Sequence, residues 1–288
     1  MISFSLAHQQ FIANLKGKSR ATATILAYGK DIAQLIDHLK KAGKDDASVV
    51  QTEDLQSFMD KLSKENYTAK SISRKTNSTK TFFKFLQTTG VISGDPANAL
   101  AHPKFENKPP RILSKLEYRA VRDGARSDIR MLAVIELLLQ TGIRIGELAQ
   151  LRLEDINLDE QSTLHVPPFE GTNERTVPLT KSAADAVRKY LEIRTKTPSH
   201  SLFVTKTGKP LLIRNIRTAI DRYFRIAGIK EVKVNDLRHT WVAHQLQSGV
   251  PMTLVSKLAG HKRLSTTGRY LQFIQNHSAE AKVKLEEL

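Results

Sequence analysis

Residues 234–273 read VNDLRHTWVAHQLQSGVPMTLVSKLAGHKRLSTTGRYLQF. Apolar positions recur at three and four, and the breaks at Gly249-Val-Pro251 and Gly260-His261 divide the run. The pattern predicts three consecutive helices, at about 236–248, 252–260 and 264–275. Each carries or delivers one reactive side chain: Arg238, His261 and Tyr270. Far upstream, LLLQTGIRIGEL (137–148) sets Arg144 just behind a glycine that ends an apolar helix. Two guanidiniums, an imidazole and a phenol form a kit for attacking a phosphodiester without a metal. Arginine's planar fork holds two non-bridging oxygens at once. A phenol can carry a covalent phosphoryl group, splitting one hard transfer into two easier ones.

Around this stretch, residues 113–288 read as mixed structure. Helices are expected at about 114–125, 128–141 and 145–151, the first opened by the capping box Ser114-Lys-Leu-Glu117. STLHVPP (162–168) and ERTVPLT (174–180) read as two strands around a turn at Glu170-Gly171-Thr172-Asn173. A helix to about 195 follows Thr180, then a short strand SLFVT (201–205), a helix at about 213–227 and a last amphipathic one at 279–287.

Residues 1–100 carry four helical patterns and no strand signal. The fourth, AKSISRKTNSTKTFFKFLQTTG (69–90), has an apolar seam of Phe82, Phe83, Phe85 and Leu86. Its cations Lys70, Arg74, Lys75 and Lys80 are read as facing outward, toward phosphates or base edges. AHPKFENKPPRIL (101–113) has three prolines and few apolar residues, the composition of a linker. The expected division is therefore a helical domain at 1–103, a linker at 104–112 and a mixed domain at 113–288. The fold class is mainly α with a small antiparallel β-sheet.

The 288 residues carry 45 Lys plus Arg against 29 Asp plus Glu, a formal charge of +16, which points to a polyanionic partner. There is no cysteine, which excludes disulfides and thiolate metal sites. The opening MISFSLAHQQFIANLKG lacks a basic region ahead of a long apolar core, and no run of about 18 apolar residues occurs. A cytoplasmic protein without a membrane span is expected.

Four motifs, in order and suitably spaced, give the chain a resemblance to a known family: TGIRIGELAQLRLEDI (141–156), ERTVPL (174–179), NDLRHT (235–240) and LAGHKRLSTTGRYLQ (258–272). Together with SISRKTNSTKTFFKFLQTTG (71–90), they resemble the tyrosine recombinases, the phage-integrase and Xer-type strand exchangers. The resemblance implies an N-terminal four-helix, SAM-like core-binding domain and a C-terminal α+β catalytic domain. It implies that Tyr270 is the nucleophile, that Arg144, Arg238 and His261 contact the scissile phosphate, and that Glu147 supports the site. It implies a 3′-phosphotyrosyl intermediate formed without metal, ATP or other cofactor. The implied partner is double-stranded DNA at a specific site, held by four protomers on two duplexes, alone or with a related recombinase. The two domains are expected to close on the duplex as a clamp.

Two positions depart from the family pattern. Glu170 stands where the family carries a lysine in the turn between the strands, and Asn235 where it favours His or Lys. Three accounts of the missing lysine stay open: a protonated Glu170, a lysine from another loop such as Lys206 or Lys209, or a slow enzyme leaning on a partner subunit. The departures also leave open a catalytically weakened DNA-binding subunit of the same fold. A relaxing topoisomerase and a basic RNA-binding protein are further alternatives. Nothing in the sequence separates chromosome dimer resolution, cointegrate resolution and movement of a mobile element, although no arm-binding segment precedes the helical domain, which leans toward simple resolution.

Overall fold

A computed structural model describes residues 3–18, 20–106 and 109–274. The expected helix at 279–287 lies outside them. The chain divides into two compact units, Met1–Lys108 and Pro109–Leu288, with the break inside the Pro-rich stretch.

Among its described residues the first unit holds four α-helices, α1 (Phe4–Gly17), α2 (Thr22–Lys41), α3 (Thr52–Lys64) and α4 (Ala69–Thr88), and a 3₁₀ turn at Ala47–Val49. Ser3 and Thr68 cap α1 and α4 by accepting hydrogen bonds from Leu6 N and Ser71 N. The apolar seam of α4 packs inward, with Phe82 edge-on to Phe11 of α1 at 5.3 Å between ring centres. A polar node joins α4 to α2. The buried Asp31 carboxylate accepts from Lys75 Nζ at 2.9 Å, from Ser78 Oγ at 3.2 Å and from Arg74, and Lys75 also donates to Gln34 Oε1 at 2.6 Å. Lys75 is thus only 5 % exposed and does not face outward as its spacing suggested. The helical face that carries Ile72, Thr76 and Thr79 is buried, and Lys75 sits on its margin, where burial is possible only because Asp31 neutralises it.

The second unit is built round α6 (Ile129–Thr141), which is apolar on nearly every side and buried accordingly. It is preceded by α5 (Lys115–Gly124), whose Ser114–Glu117 capping box is formed, and followed by α7 (Ile145–Gln150). The sheet is β1 (Ile156–Asn157), β2 (Thr163–Val166) and β3 (Arg175–Pro178), antiparallel in that order. Leu164 faces Val177 and Val166 faces Arg175, so Arg175 ends the sheet's inward face. Then come α8 (Lys181–Ile193), α9 (Ile213–Ile226), α10 (Val234–Gln247), α11 (Met252–Ala259), α12 (Leu264–Gly268) and α13 (Leu271–Ile274).

Three expectations are corrected here. The sheet has a third strand, β1, which two residues are too short to signal. SLFVT is not a continuous strand; its Ser201 and Val204 make only single bridges, to Arg152 and Pro210. Its Leu202, Phe203 and Val204 are buried, so the apolar run fills the core with isolated backbone bonds, such as Leu202 N to Leu151 O at 2.8 Å, rather than extending the three-stranded sheet. The helix expected at 264–275 is broken after Gly268, a weak helix former, and Tyr270 N bonds Thr267 O in a tight turn. No helix among the described residues is long and apolar enough to cross a membrane.

Candidate active site

Gly142 ends α6 in the left-handed conformation (φ 62°), where a Cβ would strike the Trp241 ring at 2.3 Å. That turn delivers Arg144 to the start of α7. There Arg144 N and Nη1 donate to the Glu147 carboxylate at 2.8 and 3.1 Å, and Nη2 donates to Gly260 O at 3.2 Å. Glu147 is fully buried and receives a second, bidentate fork: Arg175 Nη1 and Nη2 donate at 3.1 and 2.8 Å. Burial raises the Glu147 carboxyl, but the bonds from Arg175 and Arg144 outweigh it and hold it below the usual range. Arg175 Nε also donates to Leu258 O at 2.7 Å. One arginine therefore bolts the β2–β3 hairpin to the turn that bears His261.

Arg238 comes from α10. Its Nη1 donates to Gly142 O at 2.5 Å, fixing the guanidinium on the C-terminal carbonyl of α6. Its Nη2 is buried and has no hydrogen-bond partner among the described residues. Burial, reinforced by Arg144 and Arg175 nearby, pushes Arg238 down to about 9, still a cation at neutral pH. An uncompensated buried cationic N–H costs more than about 1–3 kcal/mol, so its retention needs a reason.

Gly260 closes α11 at φ 68° and leads into His261. His261 Nδ1 pairs with Thr267 Oγ1 at 2.8 Å, and its ring stacks on Tyr270 at 6.4 Å and 13°. Burial and the Arg238 and Arg144 charges push His261 down to about 3, so the imidazole is neutral. Tyr270 is 5 % exposed. Burial pushes its phenol up, and the nearby Arg238 and Arg144 counteract only part of this. Arg144, Glu147, Arg238, His261 and Tyr270, nominated from separate motifs, therefore converge on one site. Their donors suit a tetrahedral oxyanion, and the phenol can attack one.

Sequence reasoning missed two residues. His239 lies on α10, its Nδ1 2.5 Å from the Tyr270 hydroxyl and its Nε2 2.9 Å from the Asn235 amide. The signal was present: Asn235 and His239 are four apart on one helix and share a face. Lys262 follows His261, and a Cβ on Gly171 would meet its Nζ at 2.9 Å, so the ammonium stands over the hairpin turn. Glu170 is exposed in that turn at φ 45°. The loop with Lys206 lies elsewhere. Lys206 lines a depression with Asp128, Ile129 and Arg130 at the start of α6, whereas Arg144 follows its end, about 20 Å away at 1.5 Å per residue. Lys206 therefore lies at the opposite end of α6 from Arg144, and the Lys209 backbone is bonded to Thr205 beside it.

In the first unit, Lys70, Arg74 and Lys84 lie on the exposed face of α4, Arg74 also binding Asp31. Lys80 donates to Asn98 O at 3.1 Å and lines a groove with Lys18, Arg20 and Lys84.

Known proteins share this chain's sequence pattern and fold. The phage integrase family pattern matches residues 106–277, and that family's N-terminal SAM-like domain matches 9–90. The chain is 32 % identical to the tyrosine recombinase XerC of Chlorobaculum parvum, over 92 % of this chain and 88 % of that one. It is 30 % identical to XerC of a Roseiflexus species, over 92 % and 87 %. A crystal structure of a lambda integrase dimer bound to a COC′ core site superposes with a TM-score of 0.75 at 18 % identity, over 92 % and 97 % of the two chains. With its two domains matched in order and its site assembled from the four motifs, the chain belongs to the phage integrase family of tyrosine recombinases.

Proposed function

We propose that this protein cuts and rejoins DNA at a specific site. Tyr270 attacks a phosphodiester, giving a 3′-phosphotyrosyl bond and a free 5′-hydroxyl. The observation that carries this reading is the Arg238 Nη2, buried and without a hydrogen-bond partner among the described residues, on a guanidinium whose charge acts on the Tyr270 phenol. Arg238 and Arg144 meet the charge that builds on the phosphoryl oxygens; losing such a donor typically costs about 10² to 10³ in rate. Neutral His261 supplies a further donor. The phosphotyrosyl ester keeps the energy of the broken bond, so a partner strand's 5′-hydroxyl reverses the step without ATP or a metal.

Exchange between two duplexes breaks four strands, and one phenol per chain calls for four protomers. The cations of α4, Lys70, Arg74 and Lys80 among them, bind the duplex chiefly through phosphates. The proposed role is resolution of dimers or cointegrates, or movement of a mobile element. The second reading, a weakened partner of a related recombinase, draws on Glu170 in the family's lysine position.

Covalent trapping tests the proposal and finds the site together. Purified protein is mixed with a library of nicked duplexes, denatured, and the protein-linked DNA sequenced. Enrichment of one sequence, with none for Tyr270→Phe, is expected. An adduct that survives Tyr270→Phe overturns the nucleophile. No adduct, alone or with a related recombinase, leaves only a DNA-binding protein.

A further inference from the structure

Resting on the recombinase reading above, we propose that His239 and Lys262 carry the two protons of the strand transfer. His239 takes the phenolic proton from Tyr270, and Lys262 gives one to the departing 5′-oxygen.

The case for His239 is geometric. Its Nδ1 lies 2.5 Å from the Tyr270 hydroxyl, within the reach a general base needs. Its Nε2 lies 2.9 Å from the side-chain amide of Asn235, one helical turn back. Nucleophile, base and orienting group thus form a relay of the kind that activates a weak nucleophile. With Asn235 Nδ2 donating, the imidazole proton sits on Nδ1 and points at the phenol. Asn235 is exposed, and turning its amide over presents Oδ1 to Nε2–H and leaves Nδ1 as the acceptor. The surroundings agree. Burial and Arg238 hold His239 below its ordinary value against the pull of Asp236, so it is neutral and able to accept. Its other charged or titratable neighbours are Tyr270 and His261. His261 is the poorer base: Thr267 engages its Nδ1, and its site resists a positive charge down to about pH 3. Asn235 therefore departs from the family pattern by orienting a base rather than being one.

Lys262 rests on a separate observation. Glu170 and Gly171 form the centre of the hairpin turn, at φ 45° and 80°, with Thr172 N donating to Phe169 O at 2.9 Å. The Lys262 ammonium stands over this turn, so close that a side chain on Gly171 would strike it. Arg175 holds the geometry, its guanidinium packed against Gly260 and its Nε on Leu258 O. The cation missing from the hairpin arrives from the turn it packs against.

The step balances. The phenolic proton moves to His239 Nδ1 as the phenolate oxygen bonds to phosphorus. The bond from phosphorus to the 5′-oxygen breaks, its electron pair stays on that oxygen, and Lys262 Nζ–H protonates it. Rejoining runs the same transfers backwards.

The test is single-turnover adduct formation by full-length protein on its trapped site, with two substrates. One has the natural 5′-oxygen at the scissile bond; the other has sulfur there, and a thiolate leaves without an acid. Lys262→Ala is expected to lose at least about 10²-fold on oxygen and little on sulfur, and Glu170→Lys should restore it. His239→Ala is expected to lose a similar factor on both substrates, with added imidazole restoring part of the rate. Equal loss on both substrates overturns the role of Lys262, as does no loss. Full activity of His239→Ala overturns the base, as does a loss that imidazole leaves untouched. DNA binding by each variant reports folding; if His239→Ala binds poorly, His239→Gln, which cannot take up the proton, replaces it and must be slow on both substrates. If the wild type forms no adduct on either substrate, the recombinase reading itself fails, and this proposal with it.

Discussion

Each unit buries a carboxylate among several cations, Asp31 in the first and Glu147 in the second, and the two clusters differ in what they leave over. In the first, Asp31 is surrounded by Arg74, Lys75 and Ser78, and the buried Lys75 spends its donors on Asp31 and Gln34. In the second, Glu147 absorbs forks from Arg144 and Arg175, but among the described residues Arg238 near them binds only a backbone carbonyl and keeps an unspent N–H. The first cluster closes on itself and ties two helices together. The second has more positive charge than its one carboxylate can neutralise, arranged round a phenol. A buried cation is therefore read by its remaining donors, not by its presence.

The comparison can be broken in four places. Asp31→Ala strands a buried lysine, and breaking such a pair costs about 3–5 kcal/mol. Urea unfolding should register this as a lower midpoint, and Lys75→Met added to Asp31→Ala should recover much of it. If the double variant is no better, Asp31 does more than neutralise Lys75. Arg238→Ala should instead leave folding near normal and slow adduct formation by about 10² to 10³, about 2.7–4 kcal/mol; unchanged cleavage would remove the distinction drawn here. Acid acts next. The folded value of His261 is about 3 against an ordinary 6.5, so the unfolded chain takes up that proton first. Its contribution to stability is complete above pH 6.5 and is lost as pH falls toward 3, with His239 adding in the same direction. Melting temperature should fall between pH 7.5 and 5, and His261→Gln should flatten the slope. The smallest effect belongs to Ser114→Ala, which removes the cap of α5 for about 1 kcal/mol and should not change cleavage on oxygen or sulfur substrates.

Much of the fold was legible because its signals are local. The Ser114 capping box and the apolar run of α6 are set by residues within a turn of one another, and the strands at 163–166 and 175–178 by alternation along each and the short turn between them. The candidate site was legible for another reason: Arg144, Glu147, Arg238, His261 and Tyr270 sit in motifs whose order survives in sequence. What stayed hidden depends on distant contacts. Lys75 looked like an outward cation because Asp31, its partner, lies 44 residues away on another helix. Lys262 could not be matched to a hairpin turn without the Arg175 clamp that brings the two together. His239 was hidden differently. Its link to Asn235 is local, but the meaning of that link required the Tyr270 hydroxyl, 31 residues on.

The way Tyr270 is seated has a consequence for assembly. Its hydroxyl meets His239, its ring stacks on His261 and its backbone is pinned to Thr267, all within a single polypeptide. Under the proposed function, nucleophile and anion cradle are thus inherited together, and neighbours would license the chemistry without lending a part to it. Mixing a subunit lacking the phenol with one lacking Arg238 should not make a hybrid that cuts, however well the two co-occupy a site.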